Sequence, residues 1–126
     1  MHEATKAMKY QDILHQISDL DEVSAMFVID RVGYIRAFRS NNDQELASEH
    51  TAIISACLGA MESMGQSLET GSLHRSLLEF QERVLLLGPV STDALLLFVA
   101  EKESSLGMLL LEFQKTLQQL RETTDS

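Results

Sequence analysis

Three segments of the chain carry apolar side chains on both of the faces that a β-strand presents. They are residues 23–29 (Val-Ser-Ala-Met-Phe-Val-Ile), 85–87 and 95–99. Such segments are typical of strands covered on both sides, because a face of this composition is stable only when it is removed from water. The chain is therefore expected to form a sheet with helices packed on both faces.

Turn residues divide the strands into two groups of neighbours. Asp30 and Gly33 directly follow the first strand, and they predict a tight antiparallel hairpin into a second strand at residues 34–38. Short polar breaks later in the chain predict a three-stranded meander. Its strands are expected at residues 73–80, 83–90 and 93–100.

The composition of the meander indicates where one edge of the sheet lies. Residues 73–80 include His74, Arg75, Ser76 and Glu79 among the apolar side chains, as is typical of an edge strand. Pro89 falls near a strand end, where its missing N–H group is tolerated.

Three amphipathic patterns predict helices around the strands. Asn42 or Asp43 is a suitable first residue for the second helix, and Gly71 is the predicted stop. The predicted order of elements is α-β-β-α-β-β-β-α. The helices are expected at residues 4–20, at residues 44–69 and from Leu106 onward.

Length and charge limit the kinds of function. A chain of 126 residues is expected to form a single domain over residues 1–126, ordered from about residue 4 to residue 122. A formal net charge of −9 argues against binding to nucleic acid or an anionic membrane. The single cysteine and the absence of a signal-peptide pattern predict a cytoplasmic protein.

No pattern in the sequence indicates catalysis, a cofactor or a metal. The glycines are dispersed, so no phosphate-binding loop is predicted. The four histidines lack the spacing of metal ligands and are interpreted as surface or interface residues: His2, His15, His50 and His74. Cys57 falls on the apolar stripe of the long helix without a nearby base, so it is interpreted as an inert core or interface thiol. We therefore expect a protein that is not an enzyme.

The long helix and the edge strand together predict a homodimer. The helix has small residues at its centre, positions 55–60, which let another backbone approach closely. The alternative is that the apolar stripe of this helix is simply core, and this alternative suffices for Leu46, Ile53 and Leu68. An edge strand that pairs with its two-fold mate would join two five-stranded sheets into one. The predicted interface residues are Ile53, Cys57, Ala60, Met61, Met64, His74, Ser76 and Leu78.

Four stretches in this order resemble the roadblock family, which includes a dynein light chain and MglB-like bacterial partners of Ras-like GTPases. They are the hairpin at residues 28–35, the small-residue helix at 49–65, the strand entry at 71–73 and Ser-Ser-Leu-Gly-Met at 104–108. The resemblance implies a profilin-like α/β (α+β) fold with a five-stranded antiparallel sheet in the order 2-1-5-4-3. It places the long helix on one face, the other two on the opposite face, and dimers at the third strand and second helix. It also implies that Gly107 is a close-packing site.

The same resemblance implies a regulator or adaptor of a Ras-like small GTPase. Five arginines are available for such a role, but none has the loop context of an arginine finger, so ordering of the GTPase's own residues is favoured. The five are Arg31, Arg36, Arg39, Arg75 and Arg83. The alternative is a structural dimer in a larger complex, with no dependence on nucleotide state. A small-molecule sensor would need an internal pocket, whereas the leucine-rich strands predict a filled core.

Overall fold

The computed structural model describes residues 2–17, 23–41 and 46–125. Within these ranges the elements follow the predicted order. They are α1 (His2–Gln16), β1 (Val23–Asp30), β2 (Ile35–Ser40), α2 (Ser48–Ser67), β3 (Ser76–Glu79), β4 (Arg83–Pro89), β5 (Ala94–Glu101) and α3 (Leu106–Asp125).

The five strands form one antiparallel sheet in the order β2-β1-β5-β4-β3. This confirms the predicted fold class and strand order. The interior strand β1 is buried along its whole length, as its apolar composition on both faces predicts. β3 is an edge strand, as predicted from its polar content, and Pro89 ends β4 where no ladder donor is lost.

Two hydrophobic cores lie on opposite faces of the sheet because successive strand residues point to opposite sides. On one face, Leu14 of α1 and Phe113 of α3 pack against the sheet, and the Phe113 ring meets Phe98 edge-on with centroids 5.0 Å apart. On the other face, Leu58 of α2 packs against side chains that include Ile29. The helices are therefore divided between the faces as expected.

The hairpin between β1 and β2 has the predicted chemistry. Gly33 adopts a φ of 102°, a backbone conformation that is unfavourable for any residue with a Cβ atom. The Asp30 carboxylate accepts hydrogen bonds from the N–H groups of Val32 at 3.1 Å and Tyr34 at 2.9 Å. Thr51 on α2 donates its hydroxyl to the Gly33 carbonyl oxygen at 2.6 Å, which attaches the turn to the helix.

The start of α2 lies later than predicted. The helix begins at Ser48, after Ala47 in an extended conformation. The N–H of Ala47 donates to Nδ1 of His50 at 3.0 Å. The side chain of His50, in the first turn of α2, thus bonds to the backbone of the residue that precedes the helix. The predicted start at Asn42 or Asp43 lies outside the described residues.

The end of α2 lies earlier than predicted. The helix ends at Ser67 and not at Gly71. Glu69, just after the helix, has a φ of 56°, Gly71 has a φ of 89°, and the N–H of Thr70 donates to the Gly65 carbonyl oxygen at 2.9 Å. Because glutamate rarely adopts this conformation, the sequence gives no signal for this stop.

α1 and β3 are also shorter than predicted. α1 ends at Gln16, and Arg39 of β2 donates to the carbonyl oxygens of Leu14 at 3.0 Å and of Ile17. These bonds supply partners for carbonyls that the helix end leaves free. Residues 18–20, also assigned to this helix from the sequence, lie outside the described part. β3 lacks residues 73–75 and Phe80 of the predicted strand, and Leu73 packs partly against the core beneath α2.

Gly88 is a close-packing glycine of the protomer, whereas Gly107 is not. A Cβ at Gly88 would lie 2.9 Å from the His74 carbonyl oxygen and 3.2 Å from the Phe113 ring. A Cβ at Gly107 would have no heavy atom within 4 Å. The expectation for Gly107 is therefore wrong within the protomer, because the first turn of α3 lies at the surface.

Candidate protein–protein interface

The outward side of α2 is apolar and uncovered. Ile53 and Met64 are 62% and 57% exposed, and Cys57 and Ala60 are also exposed. The spacings of 4, 3 and 4 residues place these four side chains in one stripe along the helix. We call this stripe the outer face of α2.

The inward side of α2 explains why this stripe is free. Leu58 is fully buried, and Ile54 and Met61 pack partly against the same core. A single helix can turn only one side to the sheet, so the assignments of Ile53 and Leu68 to the core are wrong, since both are exposed. The core alternative for Cys57 is wrong for the same reason.

The structure divides the predicted interface residues between two elements and one loop. Ile53, Cys57, Ala60 and Met64 lie on the outer face of α2, whereas Met61 turns toward the sheet. Of the remaining three, His74 is exposed in the loop before β3, and Ser76 and Leu78 are half-buried on β3.

The side chains of β3 face in a direction that joins them to α2. Leu78 lies opposite Leu85, and Ser76 lies opposite Leu87. Both leucines of β4 pack into the core beneath α2. Because directly opposite residues share a face, Ser76 and Leu78 lie on the same side of the sheet as α2.

The backbone of β3 is available on its outer side. Within the part of the chain that the structure describes, the strand pairs with β4 alone. Among residues 2–17, 23–41 and 46–125, no side chain forms a hydrogen bond with the backbone of β3. An edge of this kind presents N–H and C=O groups to an additional strand.

The opposite edge, β2, is not free in this way. The side-chain amide of Gln11 on α1 donates from Nε2 to the Phe38 carbonyl oxygen at 2.7 Å. Its Oε1 accepts from the Phe38 N–H at 3.1 Å. This contact is not predictable from the sequence, because nothing in a glutamine on an amphipathic helix indicates a partner in a distant strand. The two edges of the sheet therefore differ within the described residues, because the backbone of β2 is bonded to a side chain and that of β3 is not.

The five arginines considered above all make polar contacts within the chain. Each of the five side chains has a hydrogen-bond or ion-pair partner. The contacts are Arg31 with Glu62, Arg36 with Asp30, Arg39 with the end of α1, Arg75 with Gln114 and Arg83 with Glu101.

A groove of about 740 Å³ opens at the surface beside the end of α2. Glu62, His74 and Arg121 contribute to its walls. In the part of the chain that the structure describes, no group of three or more His, Cys, Asp or Glu side chains could hold a metal ion. The described helices include none that is long and apolar enough to cross a membrane.

Comparisons with known proteins agree with the observed architecture. The family model of the Roadblock/LC7 domain matches residues 9–100. MglB from Myxococcus xanthus is 14% identical with a TM-score of 0.79, over 98% of this chain and 90% of that chain. A Roadblock/LC7 domain from Streptomyces avermitilis is 13% identical with a TM-score of 0.74, over 91% and 93%. Profilin II from Acanthamoeba castellanii is 11% identical with a TM-score of 0.62, over 92% and 97%. These likenesses confirm the profilin-like roadblock fold; no curated protein matches the sequence.

Proposed function

Because the chain belongs to the Roadblock/LC7 domain family, we propose that it is a homodimeric regulator or adaptor of a Ras-like small GTPase. It acts through protein–protein contacts in the cytoplasm and performs no chemistry of its own. The observation that carries this proposal is the uncovered outer face of α2 on the same side of the sheet as the open edge of β3.

A two-fold dimer would use both features at once. Antiparallel pairing of β3 with the β3 of a second copy would satisfy the outward backbone groups of both strands. Because α2 and the side chains of Ser76 and Leu78 lie on the same side of the sheet, this pairing would also bring the α2 helices of the two copies close together. Ile53 and Met64 are 62% and 57% exposed, so complete burial of the exposed part of each side chain contributes about 1–2 kcal/mol.

The contacts of the arginines support one mode of action on a GTPase. An arginine finger supplied by a partner protein must extend from that protein's surface into the nucleotide site of the GTPase. Arg31 and Arg36 each pair with a carboxylate of this chain, and Arg39 holds the end of α1. Their use as fingers would break contacts within the protomer. Ordering of the catalytic residues of the GTPase itself is therefore the favoured mode.

The dimer is tested with Met64→Glu and with Met8→Glu as the matched control. Both methionines are exposed, but Met8 lies on α1, away from the proposed interface. Sedimentation of the wild-type protein and of Met8→Glu is expected to give a dimer. Met64→Glu is expected to give a folded monomer, because two buried carboxylates would face each other across the two-fold axis. A monomeric wild-type protein at micromolar concentration would refute the dimer.

The GTPase is tested by incubation of the purified protein with each Ras-like GTPase encoded near its gene. Complex formation and hydrolysis rate are measured with a GTP analogue or GTP and with GDP. Preference for the GTP-like state together with faster hydrolysis is expected. Equal binding to the GTP-like and GDP states would contradict regulation and would support a structural dimer in a larger complex.

A further inference from the structure

We propose that Gln11 closes the β2 edge of the sheet against strand pairing with a second copy of the chain, so that self-association is restricted to the β3 edge. The first half of this inference rests on the geometry of α1 and β2. The second half rests on the proposed dimer.

The Gln11 side chain occupies the positions that a neighbouring strand would use. An added antiparallel strand bonds to both the N–H and the C=O of the same edge residue. Gln11 bonds to both of these groups of Phe38. Phe38 lies inside β2 (Ile35–Ser40), so a copy that paired along this strand would have to displace the glutamine.

The orientation of this amide is fixed by its partners. The Phe38 N–H requires an oxygen and the Phe38 carbonyl requires a donor, so a flipped amide would lose both bonds. The Nε2 atom of Gln11 also lies 2.8 Å from Nε2 of His15, one turn further along α1. In the orientation that Phe38 fixes, the second amide hydrogen is available to His15, which then accepts it.

α1 holds Gln11 in place through its buried neighbours. Tyr10 precedes the glutamine and Leu14 follows it, and both are buried in the core between α1, α3 and the sheet. Arg39 ties the end of the helix to β2. The glutamine therefore extends from a packed helix onto the strand, and its bonds with Phe38 need little further ordering.

The composition of β2 explains why this edge needs closure. Tyr34, Ile35 and Phe38 are exposed apolar side chains in or beside the strand. An exposed apolar edge is a template for pairing with other chains. If both β2 and β3 could pair with other copies, every β3-paired dimer would still have two unpaired β2 edges. Each of these edges could bind another dimer, so the assembly would grow without limit.

The test compares Gln11→Ala with Gln16→Ala, a change of the same residue type on the same helix. At a protein concentration at which Gln11→Ala still has the wild-type size, the exchange rate of the Phe38 amide, followed by NMR, is expected to rise about tenfold in this variant and to stay unchanged in Gln16→Ala. In sedimentation, Gln11→Ala is expected to form species larger than the dimer as concentration rises.

A second change assigns any association to β2. Ile35→Lys places a positive charge on this strand, and like charges would oppose each other in a β2–β2 pair. The double variant Gln11→Ala/Ile35→Lys is expected to return to the wild-type size. Association that persists in it would overturn the proposal, as would a Gln11→Ala protein of wild-type size.

The wild-type control separates this inference from the proposed dimer. If the wild-type protein is a monomer, the β3 dimer fails. Gln11→Ala should then stop at a dimer paired through β2, since only one edge associates. Larger species from a wild-type dimer would support both proposals.

Discussion

The Asp30 carboxylate and the Arg36 guanidinium form a two-point contact: Oδ2 accepts from Nε at 2.9 Å and lies 2.7 Å from Nη2. The other carboxylate oxygen accepts from two backbone N–H groups of the hairpin turn. Asp30 is buried, so these bonds are protected from water. One side chain thus fixes both the turn and the strand that follows it.

Asp30→Ala is expected to lower the free energy of unfolding by about 2–3 kcal/mol, because it leaves turn N–H groups and a guanidinium without their charged acceptor. Urea denaturation measures the change. The matched control, Asp12→Ala on the exposed side of α1, should stay within about 0.5 kcal/mol of the wild type. A loss below 1 kcal/mol at Asp30 would contradict the assigned role.

Gly88→Ala is expected to lower the free energy of unfolding by about 1–3 kcal/mol, because the added methyl group meets a backbone carbonyl and the Phe113 ring. Gly107→Ala, where the methyl group meets no atom, should leave stability equal or raise it by up to about 1 kcal/mol. Thermal unfolding of both variants gives the comparison. Equal effects at the two glycines would show that close packing at Gly88 is not the cause.

Leu58→Ala is expected to cost about 2.5–4 kcal/mol, since Leu58 is the fully buried apolar anchor of α2 on the sheet and its truncation leaves a cavity. Gln66→Ala, on the exposed side of the same helix, supplies the control and should change little. Denaturant unfolding at one fixed protein concentration measures both. If the two variants lose the same stability, α2 is not held by this contact.

Thr51→Val is expected to cost about 1–2 kcal/mol, because valine keeps the shape of threonine but leaves the Gly33 carbonyl oxygen without its donor. The control is Thr116→Val. Thr116 is equally buried, but its hydroxyl bonds to the Glu112 carbonyl one turn earlier in the same helix. That carbonyl keeps the backbone donor of the helix, so the control should lose less than Thr51→Val in the same unfolding experiment.

The order of the elements was predictable because it depends on patterns that are local in the chain. The strand at residues 23–29 is apolar at nearly every position, and Asp30 with Gly33 specifies the turn that follows. The order of the strands in the sheet came from the family resemblance. The ends of the helices were not predictable, because they depend on Arg39 reaching from another element and on Glu69 in a conformation that is rare for glutamate.

The candidate interface could be assigned to elements but not to sides of a helix. α2 is apolar around much of its circumference, so periodicity did not separate Met61, which faces the sheet, from Met64, which faces outward. Gln11 carried no signal at all. Its role exists only because the fold brings α1 alongside β2, and a polar residue on an exposed helix usually contacts water alone.

The central pairing of the sheet also constrains how the chain folds as it is synthesised. β1 lies between β2, which follows it at once, and β5, which is synthesised only after α2, β3 and β4. Until β5 and α3 have been synthesised, one edge of this apolar strand and the face that α3 covers lack their final partners. Folding of such a topology is slow relative to that of local hairpins. During that interval residues 23–29 are an unpaired apolar edge of the kind that is prone to aggregation.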